Sequence, residues 1–219
     1  PGIVAIKAPD LWAMGYEGQG AVVSNIDTGV AMHSAFKSRW RGNDPGVSNA
    51  EAWHDPYSNY PTPRVLHGHG THTIGTAAGN MDTMADVAGL QYTISGVAPK
   101  AQILSYRIGY PTSSEYSGSA FDAEIVMAYE DAVLDGADVI NYSFGGYSGV
   151  MPWANATAVA RDAAWDAGVF VSHAAGNDGP GYSSTTDFSP KVMEVGASTH
   201  TGTIAAGFID VTSPAPVPV

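Results

Sequence analysis

Three short stretches of the chain carry residue types that could do chemistry. Asp27-Thr28-Gly29 closes an apolar run. A carboxylate there can orient a histidine or bind a metal, and the glycine permits a tight turn. It can equally satisfy nearby loop N–H groups. The second stretch, Leu66 to Asn80 (LHGHGTHTIGTAAGN), places His67, His69 and His72 within six residues, ahead of small residues that suit a close-packed helix. A histidine at a helix N-terminus stays neutral because the helix dipole disfavours the imidazolium, and a neutral imidazole is what a general base requires. Glycines on both sides of His69 set this stretch apart from an ordinary surface loop. The third stretch, Ser172 to Gly179 (SHAAGNDG), leaves an apolar run through small residues that make a shallow wall. Its Asn177 offers an amide donor that can stabilise a developing oxyanion in acyl transfer, although AAGN by itself is a common turn.

These groups need elements to hold them. Ala21 to Ile26 (AVVSNI), Gln102 to Arg107 (QILSYR), Ala137 to Tyr142 (ADVINY), Val169 to His173 (VFVSH) and Val192 to Val195 (VMEV) read as short buried strands. Ser119 to Leu134 has Phe121, Ile125, Ala128 and Ala132 at helical spacing, with Ser119 and Asp122 forming a start like a capping box. Trp153 to Asp166 reads as a second, Ala-rich helix that stops near Gly168. Alternating strands and helices predict an α/β fold, a mostly parallel central sheet flanked by helices. Functional groups in such sheets gather at the carboxyl ends of strands. Asp27, Ser143-Phe144-Gly145 and Gly176-Asn177 all fall there. Ser38 to Leu66 and Asn80 to Ser95 read as long loops, and Thr212 to Val219 (TSPAPVPV) as an extended linker.

Composition narrows the classes. With 219 residues the chain suits one domain, or one and a small part of another. Hydrophobic residues make up 44% and charged residues 14%, which is not the signature of disorder. A net charge of −12, from nine basic and 21 acidic residues, argues against nucleic acid as a partner. No apolar run approaches the length of a membrane-spanning helix. The absence of cysteine excludes a disulfide scaffold, a thiolate metal site and a cysteine nucleophile.

Taken together, VSNIDTGV around Asp27, HGHGTHTIGTAAG around His69, ISGVAPKAQILSYRI, DGADVINYSFGG and SHAAGNDGP resemble the subtilisin-like serine peptidases, the subtilases. The resemblance runs from about Ala8 to Ala197. It implies residues 1–200 as the N-terminal part of a subtilisin-like catalytic domain, secreted to the cell exterior, that hydrolyses peptide bonds with an Asp/His/Ser triad. Asp27 and His69 would be triad members and Asn177 the oxyanion donor. Ser143, Phe144 and Gly145 would pair with an extended protein or peptide substrate, with Gly118 flanking it from the other side. Ala174, Ala175 and Gly176 would line the pocket for the side chain before the scissile bond. Within this scheme His67 is a loop residue, His72 packs or hydrogen-bonds internally, and His173 is a satisfied core residue.

One departure is large. The family's nucleophile lies in a GTSMA-type motif, and none occurs in these 219 residues; Ser213, in VTSPAP, does not match. The resemblance therefore places the serine beyond Val219, in a missing C-terminal part of the same protein, and predicts that this chain alone is inactive. Residues 201–219 are then a truncated strand or linker. They read either as a diverged strand before the family's APG turn or, by preference, as the start of an inserted protease-associated domain. No cofactor is implied. Structural calcium is common in the family, and Asp82 and Asp86 lie in a suitable loop, but no ligand spacing is recognisable. Three other readings stand beside this one. His67, His69 and His72 resemble the HxHxDH zinc set of metallo-β-lactamases, with Thr71 where Asp is wanted. A single Asp-Thr-Gly falls short of the two that an aspartic peptidase needs. A non-catalytic protein that binds peptides in an inherited cleft also fits a chain without the serine.

Overall fold

A computed structural model of the chain describes residues 2–65, 67–80, 95–109, 119–145, 155–179, 181, 185 and 189–198, together with the backbone of 83–87 and 90–94. In chain order the elements are α1 (Gly2–Ala5), α2 (Ala8–Ala13), β1 (Val22–Asp27), α3 (Ser34–Lys37), two short 3-10 turns, β2 (Trp53–His54), α4 (Gly68–Ala78), β3 (Thr83–Val87) and β4 (Leu90–Ile94). They continue with β5 (Gln102–Arg107), α5 (Asp122–Leu134), β6 (Val139–Tyr142), α6 (Ala156–Asp166), β7 (Phe170–Ala174) and β8 (Met193–Val195).

Six strands form one sheet in the order β2-β5-β1-β6-β7-β8, and every pairing is parallel. This is the α/β architecture that the strand–helix alternation predicts. β1 lies inside the sheet and all six of its residues are buried, as expected of a strand covered on both faces. After β1 the chain fills one side of it with β2 and β5, then the other with β6, β7 and β8. The carboxyl end of β1 is therefore the point where the strand order reverses, the usual place for a ligand crevice. α4 packs on β1, and α5 packs on β1, β5 and α6. The core between the layers includes Ile26, Ile74, Ile103, Leu104, Ile140 and Val171.

Several expectations are corrected. α5 starts at Asp122, with Phe121 as its N-cap residue, so Phe121 lies outside the helix and is exposed, whereas Ile125, Ala128 and Ala132 are buried. The capping carboxylate is that of Glu124, which accepts the Phe121 N–H at 3.2 Å, so the start expected at Ser119 and Asp122 lies two residues too early. α6 begins after Asn155, whose Oδ1 accepts the Ala158 N–H at 2.8 Å; Trp153 lies outside the described residues. The segment expected as a loop from Asn80 to Ser95 contains an antiparallel hairpin of β3 and β4. Asp86 lies in β3, and Asp82 is outside the described residues. The expected loop from Ser38 to Leu66 contributes the edge strand β2 and buries Trp40 and Trp53. Residues 199–219, including Ser213, lie outside the described residues. Among the described residues no helix is long and apolar enough to cross a membrane.

Candidate active site

Two glycines let the end of β1 and the start of α4 meet. Gly29 has φ 93°, and a Cβ there would stand 2.2 Å from the Arg64 carbonyl oxygen. A Cβ on Gly70 would stand 2.2 Å from the Gly29 carbonyl oxygen and 3.2 Å from Asp27 Oδ1. Neither position accepts a side chain without moving backbone. Polar contacts then stitch the junction. Thr28 Oγ1 donates to the His67 carbonyl at 2.9 Å and accepts the Gly70 N–H at 3.1 Å. Thr71 Oγ1 accepts the Ala31 N–H at 2.9 Å. His67 is the N-cap of α4, its Nδ1 accepting the His69 N–H at 3.3 Å. The residue expected as an idle loop position thus terminates the helix that carries His69.

This junction brings Asp27 and His69 together. His69 Nδ1 lies 2.8 Å from Asp27 Oδ1 and 3.0 Å from Oδ2. The carboxylate also accepts the Thr28 N–H on Oδ1 at 2.7 Å and the Thr73 hydroxyl on Oδ2 at 3.1 Å. Its side chain is fully buried, whereas that of His69 is 39% exposed. A buried acceptor-only carboxylate places the ring hydrogen on Nδ1, which leaves Nε2 as the acceptor nitrogen. Such an imidazole can take a proton, and the carboxylate beside it stabilises the resulting cation.

The other expected residues leave adjacent strand ends. Ser143, half-buried, follows β6 and is held by Asn141, whose Nδ2 lies 2.9 Å from Ser143 Oγ. Phe144 is buried against Tyr142, with ring centroids 6.4 Å apart, and Gly145 is exposed. Ala174, at the end of β7, and Ala175 and Gly176 beyond it are half-buried, and the Ala175 N–H donates to the Val195 carbonyl at 3.0 Å. Asn177 is exposed. Because β6 lies between β1 and β7, the Asn177 turn departs about two strand spacings, roughly 10 Å, from the end of β1. Gly118 lies outside the described residues.

The remaining histidines behave differently from one another. His72 is exposed on α4, which corrects the packing half of the expectation that it packs or hydrogen-bonds internally. Among the described residues no three His, Asp or Glu side chains form a group able to hold a metal ion, so His67, His69 and His72 do not assemble the HxHxDH-like set. His173 is 2% exposed, stacks on Tyr142 with centroids 4.8 Å apart, and has Nε2 3.4 Å from Arg161 Nη1. Burial, with Arg161 adding to it, pushes its pKa down to about 3. It is a neutral core residue.

Sequence reading left Asn25, Thr73 and Asn141 unassigned. Asn25 and Asn141 face each other across β1 and β6 in register, with Asn141 Nδ2 donating to Asn25 Oδ1 at 2.8 Å. The signal was an asparagine inside each of two strands that must be buried, since a buried amide needs partners.

A model of the subtilase family matches residues 18–212. The subtilisin-like protease SBT5.4 of Arabidopsis thaliana is 33% identical over 88% of this chain and 28% of its own length. SBT1.6 of the same plant, also a subtilisin-like protease, is 40% identical over 63% of this chain and 18% of its own length. The minor extracellular protease Vpr of Bacillus subtilis (strain 168) is 37% identical over 80% of this chain and 20% of its own length. The chain thus spans less than a third of the length of these relatives.

Proposed function

The chain belongs to the subtilase family, and on that premise we propose that it supplies part of the active site of a serine endopeptidase. The observation that carries this is the Asp27–His69 pair, a buried carboxylate on Nδ1 of a half-exposed imidazole at the point where the strand order reverses. Asp27 holds the imidazole in the tautomer with hydrogen on Nδ1. Nε2 of His69 accepts the proton of a serine hydroxyl as it attacks the scissile carbonyl, then returns it to the leaving amine. The serine belongs to a segment C-terminal to Val219, because no serine within 1–219 has the family's nucleophile motif. The Asn177 amide stabilises the oxyanion of the tetrahedral intermediate. The backbone of Ser143, Phe144 and Gly145 pairs with an extended protein or peptide substrate as an added strand. Ala174, Ala175 and Gly176, small and half-buried, line the pocket for the side chain before the scissile bond, with Gly118 on the opposite flank. No cofactor takes part in this chemistry. The protein acts outside the cell, as does the Bacillus relative according to its name.

Hydrolysis of an unfolded polypeptide by the full-length protein tests the reading. Cleavage is expected to be blocked by a serine-directed fluorophosphonate, lost in His69→Ala and insensitive to zinc chelation. Chelator-sensitive, fluorophosphonate-resistant cleavage would overturn it in favour of a metal hydrolase. Peptide binding without cleavage would make the protein a non-catalytic binder.

A further inference from the structure

We propose that Thr73, backed by Asn25, is a positioning residue that holds the Asp27 carboxylate in the orientation His69 needs. Its kinetic consequence rests on the peptidase reading above; its structural consequence does not. Thr73 follows His69 by four residues on α4, so both side chains share the helix face directed at β1. Its hydroxyl has one hydrogen and three acceptors within reach: Asp27 Oδ2 at 3.1 Å, the Gly70 carbonyl at 3.1 Å and Asn25 Oδ1 at 3.3 Å. Both neutral acceptors have another donor. The Gly70 carbonyl receives Asn25 Nδ2 at 3.0 Å, and Asn25 Oδ1 receives Asn141 Nδ2 at 2.8 Å. Asp27 Oδ2 shares the His69 N–H with the closer Oδ1. A hydrogen bond to an ionised acceptor is roughly twice as strong as one between neutral groups, so the Thr73 hydrogen goes to Asp27.

The carboxylate is then held by the Thr28 N–H on Oδ1, His69 on its open side and Thr73 on Oδ2. Without the Thr73 hydroxyl, Oδ2 keeps only its share of the imidazole N–H and the carboxylate can turn about its Cβ–Cγ bond, which loosens its grip on the Nδ1–H tautomer. Asn25 fixes the place from which Thr73 acts. Its amide is fully buried in mid-strand: Nδ2 donates to the Gly70 carbonyl, anchoring the first turn of the helix that carries Thr73, and Oδ1 accepts from Asn141. Asn141 in turn holds Ser143 Oγ at 2.9 Å. Side-chain hydrogen bonds thus run from Asn25 through Asn141 to Ser143 beside the Thr73–Asp27 bond, on the face of the sheet that α4 covers.

The test compares Thr73→Val, which replaces the hydroxyl by a methyl group of similar size, with Thr73→Ser, which keeps it. Both are made in the full-length protein and read in two ways. With histidine-selective 15N labelling, the low-field Nδ1–H resonance of His69 is expected to weaken or move upfield in Thr73→Val and to return in Thr73→Ser. For peptide hydrolysis, kcat is expected to fall about tenfold in Thr73→Val, the scale of one hydrogen bond to a charged group. KM should stay unchanged, and Thr73→Ser should restore kcat. An unchanged resonance and unchanged kcat in folded Thr73→Val would overturn the proposal, as would a Thr73→Ser variant as impaired as the valine one, since that would assign the effect to methyl packing. If Thr73→Val does not fold, Thr73→Ala takes its place with the same readouts and the same criteria. If the unsubstituted protein cleaves no peptide, the peptidase reading fails, and the resonance alone supports or overturns the role of Thr73.

Discussion

Two histidines stand near the carboxyl ends of strands in the same parallel sheet, and they differ in access to solvent and in the charged groups around them. His69, at the mouth of β1, has a 39% exposed side chain against the buried carboxylate of Asp27. His173, in β7, is 2% exposed and lies against the guanidinium of Arg161. One imidazole is open to solvent beside a carboxylate; the other is shut from water, where burial and Arg161 outweigh the Glu194 carboxylate 3.7 Å from its Nδ1. The residue type is common to both, so the partner and the access decide which imidazole can work as a base. The backbone follows the same division. The β1–α4 junction excludes side chains at Gly29 and Gly70 so that His69 can reach Asp27, whereas His173 is a regular strand residue facing Tyr142 across the register.

The comparison breaks first at His69. His69→Ala in the full-length protein is expected to lower kcat for peptide hydrolysis by roughly 10⁴–10⁶-fold, since it removes the general base. A loss as large in His173→Gln would erase the distinction between the two sites. Asp27→Asn keeps the shape but no longer imposes the Nδ1–H tautomer, and a loss of roughly 10⁴-fold is expected in the same assay. Asn177→Ala should cost about 10²–10³-fold, the usual effect of one oxyanion donor; unchanged kcat would remove Asn177 from the mechanism.

The smallest effect is one of stability. The His173 pKa is depressed from 6.5 to about 3 by burial and by Arg161. Between those values the unfolded chain takes up a proton that the folded chain refuses, so stability falls as the pH drops from about 6.5 towards about 3. The slope from this one group is at most about 1.4 kcal/mol per pH unit. His173→Gln, which keeps a polar partner for Arg161, should flatten that part of the stability curve in denaturant titrations while leaving kcat near that of the unsubstituted protein. An unchanged curve would mean that His173 is not held neutral.

What was legible in the sequence followed from periodicity and from punctuation. The five predicted strands are present because short β-branched runs bounded by turn residues have few other outcomes when helices alternate with them. The proximity of Asp27 and His69 was legible because the family blocks around them are complete. Two kinds of feature were not. The hairpin at 83–94 was hidden because its strands are short and lie beside a histidine-rich stretch that reads as chemistry, although Tyr92, Thr93 and Ile94 favour strands. The roles of Asn25, Thr73 and His67 were hidden because each depends on a partner 45 to 48 residues away or on where a helix begins. Windowed reading has no access to such pairs; a buried-strand asparagine is the one local trace they leave.

The most direct measurement is the mapping of a fluorophosphonate label by mass spectrometry on the full-length protein and on its His69→Ala and Asp27→Asn variants. The account predicts stoichiometric labelling of one serine outside residues 1–219, with labelling sharply reduced in both variants because the nucleophile is then not activated. Stoichiometric labelling of a serine within 1–219, or labelling that proceeds equally well without His69, would contradict it.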